Sequence, residues 1–210
     1  MEHRVLVAYA TKSGSTAEVA QAIGEELAAG GAQVDVLPIT GVNDPGAYDA
    51  VIVGGPMIMG WHPEAVQFLA RHQQALSRVP VACFLTALSL TQPDNSQAAG
   101  EPIYLDPALA KPPRKPGRLS LKEQYATVPN YLRPALQKAP QVKPVSIAFF
   151  NGKLDLARLD LFSRLFVQLV IGARSGDFRN WEVIRAWARG LRPALLKEGQ
   201  EDEQRAAIHL

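Results

Sequence analysis

The stretch VLVAYATKSGSTAEVAQAIGEEL, Val5 to Leu27, decides the fold. Val5 to Ala10 is a short apolar run rich in β-branched residues and reads as a strand. Val19, Ala20, Ile23 and Leu27 then recur at helical spacing. Between them lies Thr11-Lys12-Ser13-Gly14-Ser15-Thr16. A strand running through a hydroxyl-rich loop into a helix is an arrangement that holds phosphate. The helix start offers unpaired N–H groups and a partial positive charge. The hydroxyls of Thr11, Ser13, Ser15 and Thr16 can donate to phosphate oxygens, and Gly14 lets backbone approach closely. The loop lacks both the G-x-x-x-x-G-K-[ST] and the G-x-G-x-x-G patterns. Lys12 is its one charge, and no acidic residue follows before Glu18. Neutral donors of this kind suit a single phosphomonoester, so the loop points to a mononucleotide cofactor such as FMN. An ordinary helix start capped by Ser or Thr is the competing reading.

Outward from that loop, strands and helices alternate. Gly30-Gly31 closes the first helix. Ala32 to Pro38 alternates like an edge strand, and Ala50 to Val53 is continuous like a central parallel one. Pro63 to Leu76 predicts a helix, Val79 to Thr86 a fourth strand and Lys143 to Phe150 a fifth. Asp155 to Ile171 and Asn180 to Lys197 predict helices, the second capped by Asn180 with Glu182 in its first turn. The expected fold is an α/β doubly wound parallel sheet of five strands, order 2-1-3-4-5. Ligands in such a sheet sit beyond the carboxyl ends of the strands at the switch point.

The other two loops at that end fit a flat ring. Gly54-Gly55-Pro56-Met57-Ile58-Met59-Gly60-Trp61-His62 follows strand three, and Thr86-Ala87-Leu88-Ser89 follows strand four. Both mix apolar side chains with backbone polar groups, which suits the faces and the edge of an isoalloxazine. The candidate cofactor residues are therefore Thr11 to Thr16, Pro56 to Trp61 and Thr86 to Ser89. Met57, Ile58 and Met59 could instead form a local apolar cluster, and Trp61 a helix-entry contact. No catalytic acid or base stands out, and no metal-ligand set is present.

Composition sets further limits. The chain has 210 residues, 47% of them hydrophobic, enough for one domain with its own core. A net charge of +2 does not mark a nucleic-acid binder. The single Cys83 lies in an apolar run and reads as core, which excludes an internal disulfide or a cysteine-rich cluster. No signal segment or membrane-spanning run stands out, so the expected location is the cytoplasm. Thr91 to Gln141 is a Pro-rich insertion after strand four that could lie over the flavin as a lid. Its Lys111, Arg114, Lys115 and Arg118 could meet substrate carboxylates or anionic lipid, which keeps open a peripheral contact with the inner face of the membrane. A solvated loop is the plainer reading. Leu159, Phe162, Leu165, Phe166, Leu169 and Val170 make a wide apolar face, read as core with a dimer or membrane surface as the other option.

TKSGST resembles the phosphate signature of flavodoxins. YDAVIVGGPMIMGWHPEAVQFLARHQQAL, FFNGKLDLARLDLFSRLFVQLVIG and GDFRNWEVIRAWARGL are similar to segments of one branch, the flavodoxin-domain protoporphyrinogen dehydrogenases that use menaquinone. The likeness covers most of the chain outside residues 91–140. It implies a flavodoxin-like fold, FMN, and two-electron transfer from a porphyrinogen-like substrate to a quinone. Ile58 and Met59 stand where that branch usually carries an Arg-aromatic pair. A small electron carrier without its own substrate is the alternative. Carriers of that type are generally strongly acidic, and this chain is slightly basic.

Overall fold

The computed structural model describes residues 3–57, 60–92, 102–155 and 175–196. Strands β1 (Arg4–Tyr9), β2 (Gln33–Pro38), β3 (Ala50–Pro56), β4 (Val81–Ala87) and β8 (Ser146–Asn151) form a parallel sheet in the order β2-β1-β3-β4-β8. This is the expected doubly wound order. β3 and β4 are buried on both faces, which is why their sequences are apolar without alternation.

The sheet has a sixth strand that the sequence reading did not place. β6 (Ile103–Leu105) comes from the Pro-rich insertion and pairs in parallel with β8 at the sheet edge. Asp106, fully buried, fastens it. The Asp106 N–H donates to the Phe149 carbonyl at 2.9 Å, and its carboxylate accepts from the Asn151 and Ala108 N–H groups at 3.2 and 2.9 Å. A buried carboxylate is tolerated only with donors of this kind around it.

Other described residues of the insertion also form elements. β5 (Leu90–Thr91) pairs with β7 (Ala110–Lys111), and α4 (Leu121–Tyr125) precedes α5 (Val128–Lys138). α5 is the crossover helix between β4 and β8, and a parallel pair needs such a connection. Pro129 sits in its first turn, where no N–H partner is lost. Pro134 lies inside it on the exposed side, while Leu132 and Ala135 face the core.

Two apolar layers cover the sheet. On one face α2 (Pro63–Arg71), α3 (Gln73–Leu76) and α5 pack against Leu6, Val51, Val53, Leu85 and Phe149. The expected single helix 63–76 breaks at His72, whose backbone is not helical. On the other face α1 (Ser15–Ala29) and α6 (Trp181–Leu196) cover Val5, Val7, Ile52, Phe84 and Phe150. The Trp187 ring meets Phe150 edge-on at 5.4 Å, and its indole N–H donates to Ser146 Oγ at 3.0 Å. Asn180 Oδ1 accepts the Val183 N–H at 3.2 Å, the expected cap of α6. A short antiparallel ribbon, β9 (Lys153–Leu154) with β10 (Gly176–Asp177), precedes α6. Most of the expected helix 155–171, with its wide apolar face, lies outside the described residues. Among the described residues no helix is long and apolar enough to cross a membrane.

Candidate functional site

The carboxyl ends of β1, β3 and β4 converge as the topology requires. β1 ends at Tyr9, and α1 starts at Ser15. Gly14 stands at the N-cap with φ 89°, a left-handed conformation that other residues adopt at a cost. A glycine at the N-cap supplies no side-chain cap of its own. The first-turn amides of Ser15, Thr16 and Ala17 have no acceptor within the helix. Thr11 Oγ1 accepts the Gly14 N–H at 3.0 Å. A hydroxyl that accepts still has its own proton to donate. These donors, with a glycine cradle and no internal carboxylate, fit one phosphomonoester.

Thr16 also has a neighbour from another strand. Its side chain is 1% exposed, and its hydroxyl lies 3.1 Å from the hydroxyl of Thr86, also buried. The pair joins the start of α1 to the end of β4. The Thr86 carbonyl accepts the Met57 N–H at 2.8 Å, and the Ala10 N–H donates to the Gly54 carbonyl at 2.9 Å. Three strand ends are thus tied into one rim.

The ring-side loops are only partly open. Met57 and Trp61 form an antiparallel bridge, and Gly60 has φ 136°. Both side chains are buried, Trp61 to 5% exposure, and both belong to the core under α2. The Trp61 indole N–H finds no partner among the described residues and faces Gly55, where an added Cβ would sit 2.8 Å away. Gly54 is required by Phe84, whose ring would lie 2.0 Å from an added Cβ. Ile58 and Met59 lie outside the described residues. Pro56, Gly60, Leu88 and Ser89 are half-buried, while Thr86 and Ala87 are buried. Among the described residues, the half-buried set could border a flat ring.

The insertion reaches this rim. The Tyr131 O–H donates to the Ser89 carbonyl at 3.1 Å, and the Thr91 N–H donates to the Ala126 carbonyl. Burial pushes the Tyr131 phenol up to about 12, so it stays a neutral donor. A cavity of about 440 Å³ lies beside it, lined by Gly60, Trp61, Val66, Gln67, Tyr131 and Lys138 among others. A larger one, about 620 Å³, lies between α1, β2 and α6, lined by Tyr9, Ala17, Glu18 and Trp181. Lys111, Arg114, Lys115 and Arg118 are all exposed. The last two bracket a turn built on Pro116 and Gly117, with Gly117 at φ 73° and the Arg118 N–H donating to the Lys115 carbonyl. Ser120 and Glu123 then form a capping box for α4. Glu123 accepts from the Arg114 and Ser120 N–H groups and the Ser120 hydroxyl, which holds its carboxyl down at about 2.

Residue 179 is a site component that sequence reading missed. Its guanidinium reaches the Ser15 carbonyl from the far end of the chain. The segment GDFRNW around it is similar to a family segment, but its local pattern gives the arginine no role.

A flavodoxin-domain family model matches residues 6–180. Protoporphyrinogen IX dehydrogenase (quinone) of Escherichia coli strain K12 is 29% identical over 94 residues, which is 43% of this chain and 52% of that protein. The chain thus spans about half the length of the curated relatives it matches. Among solved structures, a short-chain flavodoxin associated with a PDU bacterial microcompartment superposes with a TM-score of 0.53 at 12% identity, covering 93% of this chain and 99% of that one. That likeness is one of fold.

Proposed function

The chain belongs to the flavodoxin domain family, whose members are flavin redox proteins, and from that premise we propose that it is an FMN-dependent oxidoreductase. It takes two electrons from a reduced, porphyrinogen-like substrate and passes them to a quinone. The observation that carries this reading is the start of α1. Gly14 is left-handed and brings no capping side chain, and the Thr11 hydroxyl keeps a proton to donate. Thr11, Ser13, Ser15 and the first-turn amides would hold the phosphate. Pro56, Gly60, Leu88 and Ser89 would border the ring. Bound there, FMN supplies the two-electron chemistry. The chain's own residues orient it, and the Thr16–Thr86 pair keeps the three strand ends in register. The substrate class is favoured by the partial match to the Escherichia coli dehydrogenase and by the basic, structured insertion beside the rim.

The exposed tip of that insertion supports a second element of the proposal. Leu121 and Tyr125, 83% and 69% exposed, share one side of α4 next to the four cations of residues 111–118. Apolar tips among cations suit the surface of an anionic bilayer, where a quinone would be met.

The test is to purify the protein with excess FMN, record the visible spectrum, and assay protoporphyrinogen IX oxidation with menadione under anaerobic conditions. The expected result is a flavin spectrum and menadione-dependent appearance of porphyrin fluorescence. Bound flavin with no porphyrin formed would favour an electron carrier, and no bound flavin would overturn the reading.

A further inference from the structure

The first turn of α1 has a neighbour contributed by the other end of the chain. Arg179 lies between β10 and α6, and its side chain is 2% exposed. Nη1 donates to the Ser15 carbonyl at 3.1 Å and lies 2.9 Å from a Glu18 carboxylate oxygen. Nε donates to Asp177 Oδ1 at 2.7 Å, and Nη2 donates to Oδ2 of the same carboxylate. The guanidinium face rests on the Trp181 ring, 4.4 Å from its centre. The hydrogen bonds it donates to Asp177 raise its pKa, against the effect of burial, so it is cationic. A guanidinium this far from water is kept only where partners replace its hydration, and here they do so on every side.

We infer that Arg179 is a specificity-determining residue of the phosphate site, selecting a phosphorylated flavin over an unphosphorylated one. This rests on the reading of the loop Thr11 to Thr16 as the phosphate cradle. Ser15 and Glu18 belong to the turn whose amides face that phosphate. Glu18 suits the positive end of a helix but repels a phosphomonoester dianion. Arg179 neutralises that carboxylate and, through the Ser15 carbonyl, holds the turn in place. An unpaired carboxylate in the same turn weakens dianion binding roughly tenfold or more. Riboflavin has no phosphate and does not feel this term. The β9–β10 ribbon and the entry to α6 therefore complete a site that begins at β1.

Binding of FMN and of riboflavin to the apoprotein, each followed by quenching of flavin fluorescence, tests the assignment. Arg179→Gln should lower FMN affinity about tenfold or more and leave riboflavin affinity within about twofold. Glu18→Gln in that background should restore most of the loss, and added salt should shrink it. Glu18→Gln alone removes a carboxylate from the first turn, leaves Arg179 paired with Asp177, and should tighten FMN selectively. Glu18 is half-exposed, so this variant keeps the test alive if Arg179→Gln does not fold. Equal losses for both flavins, or no change in either variant, would overturn the proposal while the cofactor reading stands. A wild-type protein that binds neither flavin would overturn both.

Discussion

Thr16→Val tests how the rim is held. Valine keeps the shape of threonine and removes only the hydroxyl. In the folded chain that hydroxyl lies 3.1 Å from Thr86 Oγ1, with both residues buried. The change leaves the Thr86 hydroxyl unpaired in a dry place. An orphaned buried hydroxyl costs about 1–3 kcal/mol, whereas removing both partners for apolar groups of the same shape is close to neutral. Thr16→Val and Thr86→Val should each destabilise by that amount, and the double variant should lose much less than their sum. For a chain of this size the single variants should melt roughly 2–12 °C lower. Urea unfolding of the four proteins closes the cycle, with equal m-values required for the comparison. Additive losses would show that the two hydroxyls do not interact. A neutral Thr16→Val would show that water already serves the site, and the argument for a tied rim would fail.

Two further outcomes follow from the insertion. Glu123 is held at about 2 by the Arg114 and Ser120 donors. A depressed carboxyl contributes order above its unfolded value and loses it as pH falls, so the hairpin and α4 should loosen between pH about 4.5 and 2. Amide exchange at Arg114 and Ser120 reads this directly, and Glu123→Gln should expose those amides at every pH. Protection that does not change across that window would refute the role given to Glu123. The protein should also sediment with vesicles rich in phosphatidylglycerol and not with phosphatidylcholine alone. The double variant Leu121→Ser, Tyr125→Ser should lose most of that binding, and unchanged binding would remove this tip as the contact.

How far the sequence reaches depends on how local the signal is. Val5 to Ala10, Ala50 to Val53 and Val79 to Thr86 announce buried parallel strands because covering both faces demands continuous apolar residues. The phosphate loop is legible because its donors, its glycine and its helix start are contiguous. α5 was missed because two prolines mask it, although Leu132, Ala135 and Ala139 carried the spacing of a buried face. Three residues of β6 are too short to announce an edge strand, and only Asp106 meeting Phe149 and Asn151 explains why that segment pairs.

By itself, then, the order of residues along the chain determined the alternation of strands and helices, the doubly wound sheet, and the loop where a phosphate fits. These rest on periodicity and on donors close in sequence. Tertiary structure decided the rest. It buried Trp61 in the core, turned the Thr16 hydroxyl onto Thr86, and laid Arg179 against Ser15. Each of those outcomes depends on groups far apart in the chain, whose meeting is set by packing against a common sheet and leaves no mark on local composition.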